Sequence, residues 1–166
     1  VQIDAVEIDP VVVSLAEKYF GIRSEGNVRI VTADGLQYLA STESRYDVVY
    51  MDAFLKPSRD TDSTGAPQRL RTLRFYQSVQ KKLKPGGLMV FNLNPHPNIH
   101  EDLSTIRKAF PQTYVFPLSG SEGLVVVGSM GAQRERLSAM VAKAGELDRR
   151  FKTSFSFQTM VRRLAR

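Results

Sequence analysis

Apolar and polar positions alternate along the chain in two periods, and their order is informative. Ile3 to Ile8 reads as a short strand, followed by Asp9-Pro10, a helix start with Asp9 placed to cap and Pro10 where its missing N–H costs nothing. Val12, Leu15, Ala16 and Tyr19 recur at helical spacing, and Gly21 is placed to end that helix in a left-handed conformation. A second strand over 28–31 leads to Ala33-Asp34-Gly35 and a short helix over 36–40. A third, nearly continuous apolar strand over 46–51 ends at Asp52, the pattern of a parallel strand buried on both faces.

A polar loop over 54–69 separates this half from the next. Leu70, Leu73, Tyr76, Val79 and Leu83 mark one face of a helix predicted to stop at Pro85-Gly86-Gly87, and a fourth strand covers 88–93. Asn98 with Glu101 three residues on has the form of a capping box, opening a helix with Ile99, Leu103, Ile106 and Phe110 on one face. Strands over 113–118 and 124–129, joined by Ser119-Gly120-Ser121-Glu122-Gly123, predict an antiparallel hairpin. Strands alternating with helices and closing on a hairpin predict an open, mostly parallel α/β sheet with helices on both faces. From Gly131 two helical pieces are expected, 133–151 and roughly 156–165. Their apolar contacts are Leu137, Val141 and Leu147 on one, and Phe157, Met160, Val161 and Leu164 on the other.

Composition changes this picture in three ways. The 166 residues suffice for one ordinary core, and with no Cys there is neither a disulfide framework nor a thiol nucleophile. No apolar run approaches the ~20 residues of a membrane helix and no signal core opens the chain, so a cytoplasmic protein without membrane attachment is expected. The net charge of +6 is uneven: residues 131–166 hold nine Lys and Arg against three Asp and Glu, and the rest hold 14 of each sign. The tail's plain reading is a solvated helix pair, with a nucleic-acid or acidic partner as the minor one.

Chemistry in such sheets sits beyond the carboxyl ends of the strands, and three of those ends are acidic: Glu7, Asp34 and Asp52. A carboxylate at the first end can accept from two vicinal ribose hydroxyls, and Ile8 beside it offers an apolar face to a base. Asp34 can accept from an exocyclic amine, and Gly35 permits close backbone approach. Each alone is equally a solvated or helix-capping carboxylate. His96 and His100 stand four apart, but no third ligand is evident apart from Glu101 and Asp102, and no metal is expected. Asn92 and Asn94 are candidates for lining the acceptor side.

Val6-Glu7-Ile8-Asp9-Pro10-Val11-Val12, Asp34-Gly35-Leu36-Gln37-Tyr38-Leu39, Tyr46 through Asp52-Ala53-Phe54, and Phe75-Tyr76 through Leu83-Lys84-Pro85-Gly86-Gly87 together resemble the spermidine synthase family, within the class I S-adenosylmethionine-dependent methyltransferases. The resemblance implies a Rossmann-like fold and a donor that is S-adenosylmethionine or its decarboxylated form, with transfer of a methyl or aminopropyl group to a small-molecule acceptor. It makes Glu7 the ribose ligand, Ile8 an adenine contact, Asp34-Gly35 the adenine edge reader and Asp52 the catalytic acidic residue, and it admits a homodimer. Residues 1–130 are then a partial donor-binding domain and 131–166 its basic helical extension. The chain would begin at the fold's second strand, with a gap at mid-sheet and weak donor binding by this piece alone.

Departures from the family pattern bear on the acceptor. The family's Asp-x-x-Asp-Pro is here Asp52-Ala53-Phe54-Leu55-Lys56, with Leu and Lys where the second carboxylate and the proline would be. That removes attraction for a dication and adds repulsion. Asp60 and Asp62 are candidates to compensate. In Pro67-Gln68-Arg69-Leu70-Arg71-Thr72, Arg69 stands where His is expected. Two other readings compete: a non-catalytic interaction module that keeps the fold, and a nicotinamide-dependent dehydrogenase, which shares the ribose-binding carboxylate.

Overall fold

The computed structural model describes residues 1–165, which divide into two compact units, 1–44 and 45–166 less the last residue. In the first unit β1 (Ile3–Glu7) and β2 (Val28–Thr32) form a two-stranded parallel sheet with Glu7 level with Thr32. Helix α1 (Pro10–Phe20) joins them. The Asp9 side chain accepts from the Val11 N–H, and Gly21 ends the helix at φ 66°, as the sequence predicts. Near the start of the strands Arg29 holds Asp4 through two hydrogen bonds, and the Tyr38 hydroxyl donates to the same carboxylate at 2.8 Å. Asp34 caps α2 (Gly35–Ser41) by accepting from the Leu36 N–H. The expected apolar face of α1 is exposed within this unit, with Val12, Leu15 and Tyr19 all open.

The second unit carries a four-stranded sheet of order β3-β4-β6-β5, from β3 (Tyr46–Met51), β4 (Leu83–Leu93), β5 (Gln112–Pro117) and β6 (Leu124–Ser129). β3 and β4 are parallel, while β6 runs antiparallel to both β4 and β5 and so sits between them, closing the sheet with the predicted hairpin. Among the described residues no ladder joins the two sheets. Helices α3 (Leu73–Gln80) and α4 (Ile99–Ala109) contribute Tyr76, Val79 and Ile106 to a core completed by Met89, Phe91 and Val126. Tyr76 meets Phe91 edge-on at 5.1 Å between ring centroids, and Phe91 meets Phe110 in the same way at 6.0 Å. Phe110 in turn packs where a side chain on Gly128 would stand.

Three local expectations are corrected. The helix predicted to reach Pro85 ends at Gln80, because Leu83 is already a buried strand residue opposite Tyr46; residues 84–87 bulge before pairing resumes at Val48 with Leu88. The capping box at Asn98 does not form. Its backbone, at φ −102° and ψ 18°, lacks the extended conformation of a side-chain cap, and its carbonyl accepts from Glu101 and Asp102 instead. The tail helices α5 (Leu137–Arg150) and α6 (Phe157–Arg162) are shorter than expected: the chain before α5 is tied to β5, and the chain after α6 returns to the same strand. The Arg134 guanidinium donates to the Thr113 carbonyl and lies over the Tyr114 ring, and the Tyr114 hydroxyl accepts from the Glu135 N–H. The helix pair meets at Ala144 and Gly145, with Gln158 against the glycine, while Leu137, Leu147 and Met160 stay exposed. After α6, the Ala165 N–H donates to the Val115 carbonyl.

Candidate functional site

Four of the five predicted site residues lie together in the first unit. Glu7 ends β1, its carbonyl accepting from the Ala33 N–H at 3.0 Å, which brings the Ala33-Asp34-Gly35 turn alongside. Glu7 Oε1 accepts from the Asp9 N–H at 2.8 Å, which fixes the carboxylate beside the helix entrance. Ile8, next in the chain, is 46% exposed. Asp34 is engaged in capping through Oδ1, so the plain structural role foreseen for it is real; the same geometry holds it still at the strand end. A side chain built on Gly35 would meet nothing within 4 Å, which leaves backbone accessible there. A fixed carboxylate, an apolar face, a second fixed carboxylate and open backbone are thus grouped at the carboxyl ends of two paired parallel strands, where such sheets bind ligands.

The fifth residue, Asp52, belongs to the second unit. It follows the last residue of β3 and is exposed, and Asn92 on β4 donates to its Oδ1 at 3.0 Å. The pairing of Met51 with Phe91 puts these two side chains level. Beside them a cleft is walled by Ala53, Phe54, Tyr76, Asn92, Asn94 and Arg71. Both asparagines singled out from sequence line it. Burial, reinforced by Asp102, pushes the Tyr76 hydroxyl well above its ordinary value, so it is a neutral hydrogen-bonding group.

The loop after β3 is shaped by Asp62. Its Oδ1 accepts from the Thr64 N–H and hydroxyl and from the Ala66 N–H, and Gly65, at φ 89°, receives the Leu55 N–H on its carbonyl. Leu55 is thereby pinned by its backbone while its side chain is 44% exposed.

Behind the cleft lies a cluster that the sequence did not announce. Arg71 Nη2 is 3.0 Å from Asp62 Oδ2 and in ion-pair contact with Asp102 Oδ2, and it also contacts His96 Nε2. His96 is almost wholly buried; its Nε2 lies 3.0 Å from Asp102 Oδ2, and its Nδ1 accepts from the Asn98 N–H. Burial raises Asp102 above the usual carboxylate range, against the pull of Arg71 and His96. Burial also works to raise Asp62, but the bonds from Thr64 and Ala66 and the charge of Arg71 outweigh it and hold it below that range. Asp62 is therefore spent inside the protein, not offered to a cationic substrate. His96 is likewise spent, and His100 is exposed on α4. Among the described residues no group of three His, Cys, Asp or Glu side chains is arranged to hold a metal ion.

Residues 1–119 match the spermine/spermidine synthase domain model. The chain belongs to that family. It is 30% identical over 131 residues to a polyamine aminopropyltransferase of Vibrio vulnificus, covering 76% of this chain and 42% of that protein. It is 33% identical over 126 residues to the human eEF1A lysine and N-terminal methyltransferase, covering 71% of this chain and 18% of that one. Among solved structures, human methyltransferase-like protein 13 in complex with SAH superposes with a TM-score of 0.82 at 25% identity, covering 93% of this chain and 73% of the other. The fold is thus the Rossmann-like one of the class I methyltransferases. The chain spans about two fifths of the length of the Vibrio relative and less of the human one. Among the described residues no helix is long and apolar enough to cross a membrane.

Proposed function

We propose that the whole protein is a cytoplasmic transferase that takes S-adenosylmethionine or its decarboxylated form as donor and passes a methyl or aminopropyl group to an acceptor at the strand end marked by Asp52. The observation that carries this is the grouping of Glu7, Ile8, Asp34 and Gly35 at the carboxyl ends of two paired parallel strands. Such a donor supplies, when bound, an electrophilic carbon next to a sulfonium. Glu7 binds and orients the ribose, Ile8 shields the base from water, and Asp34 with Gly35 discriminates its edge. Asp52, held by Asn92, accepts the proton of the attacking nucleophile.

We further infer that the acceptor is not an ordinary polyamine. Aminopropyl acceptors are multiply charged amines, and at this strand end Leu55 and Lys56 stand where a second carboxylate would attract them. Kinship to both named relatives supports a donor of this type, and the missing carboxylate favours methyl transfer. The test is to incubate the whole protein with each donor and a panel of amine, peptide and hydroxyl acceptors. Release of S-adenosylhomocysteine marks methyl transfer, and release of methylthioadenosine marks aminopropyl transfer. Dominant methylthioadenosine release with putrescine would overturn the acceptor reading.

A further inference from the structure

We propose that Arg71 is a built-in cation that fills an acidic site and so excludes diammonium acceptors, leaving the cleft beside Asp52 to an acceptor bearing at most one positive charge. The proposal rests on the transferase reading above. Its basis is the position of one side chain between two clefts. Arg71 lines the cleft formed by Ala53, Phe54, Tyr76, Asn92 and Asn94, and it also lines a second, polar cleft that contains Asp62 and Asp102. Neither carboxylate lines the first cleft. Arg71 is the residue the two linings share.

The charge balance around it fits a cation site already occupied. Two carboxylates, with side chains 10% and 11% exposed, face one guanidinium whose side chain is 15% exposed. The pairing is imperfect: Asp62 Oδ2 is buried and, despite the ion contact to Nη2, makes no hydrogen bond among the described residues. A single Nη2 serves both carboxylates and His96, so one compact ammonium at that point would meet the same three partners. Cutting the side chain back would connect the clefts and leave two desolvated carboxylates uncompensated, a strong reason for an amine to enter. With Arg71 in place both carboxylates are already paired to a guanidinium, and a second ammonium entering beside Asp52 finds Arg71 on the cleft wall and neither Asp62 nor Asp102.

The experiment compares the full-length protein with its Arg71→Ala and Arg71→Lys variants, using putrescine and methylguanidinium as probes in calorimetric titration and thermal melts. Wild-type protein and Arg71→Lys are expected to be indifferent, since each carries its own cation. Arg71→Ala is expected to bind at least one probe about tenfold or more tightly than wild type and to melt higher in its presence. Adding Asp62→Asn and Asp102→Asn to Arg71→Ala should abolish that gain. If Arg71→Ala does not fold alone, the same account requires millimolar putrescine or methylguanidinium to restore a cooperative melt. An Arg71→Ala protein that responds to neither probe, folded or not, overturns the proposal, as does wild-type protein that binds putrescine equally well. No donor is present in these arms, so their failure is distinct from a failure of the donor site.

Discussion

Asn92 donates its side-chain amide to Asp52 Oδ1 at 3.0 Å, and the two residues end neighbouring parallel strands. The consequence is directional. One carboxylate oxygen is engaged by Asn92, and under the proposed mechanism the other takes the nucleophile's proton. Asp52→Asn in the whole protein should lower kcat/KM roughly 10²–10⁴-fold, the usual worth of a positioned base. Asn92→Ala should lower it less, because it frees the carboxylate without removing it. Steady-state kinetics at saturating donor checks both, and an unchanged rate in Asp52→Asn removes it from the mechanism.

Gly65 controls the loop beside that strand end. Its φ of 89° is a conformation side chains avoid, and a Cβ there would stand 2.0 Å from the Leu55 carbonyl oxygen. Gly65→Ala should break the Leu55–Gly65 backbone bond, lower stability by at least about 1 kcal/mol and expose the loop over 54–66 to proteolysis. A denaturant melt and limited digestion read the two effects.

Asp148 ties α5 to α6. It accepts from the Phe157 and Gln158 N–H groups and from the Ser156 hydroxyl. Burial works to raise its carboxyl, but these bonds prevail and hold it below the ordinary carboxylate range. A lowered folded value means that the bonds stabilise the helix pair fully above the unfolded value of about 3.9, and that the contribution fades as pH falls through the folded value. Protection of the Phe157 amide from hydrogen exchange, relative to its intrinsic rate, should therefore fall below about pH 4. In Asp148→Ala that protection should be low at every pH.

Much of this architecture could be read from local signals. Asp9, Pro10 and Gly21 bound α1 because capping chemistry is confined to a few neighbouring residues, and the hairpin over 113–129 announced itself through its Gly- and Ser-containing turn. The end of α3 could not be read this way, because Leu83 suits the helix face and the strand equally, and only its pairing with Tyr46 decides. The Asp62–Arg71–His96–Asp102 cluster was illegible for a related reason. Its members come from the loop after β3, the turn before α3, the connection between β4 and α4, and the first turn of α4, with no common spacing. Glu7, Asp34 and Asp52 were legible as carboxylates at or just beyond strand ends, because the apolar runs before them mark the strands whatever the loops between them do.

The central claim, an adenosyl sulfonium donor held by Glu7 and its neighbours, is tested most directly by calorimetric titration of the whole protein, wild type and Glu7→Ala, with S-adenosylmethionine, its decarboxylated form and methylthioadenosine. Wild-type protein is expected to bind at least one of the three, and Glu7→Ala, with its folding checked by a thermal melt, to lose about tenfold or more in affinity through the missing charged hydrogen bonds to the ribose. Wild-type protein that binds none of the three would contradict it.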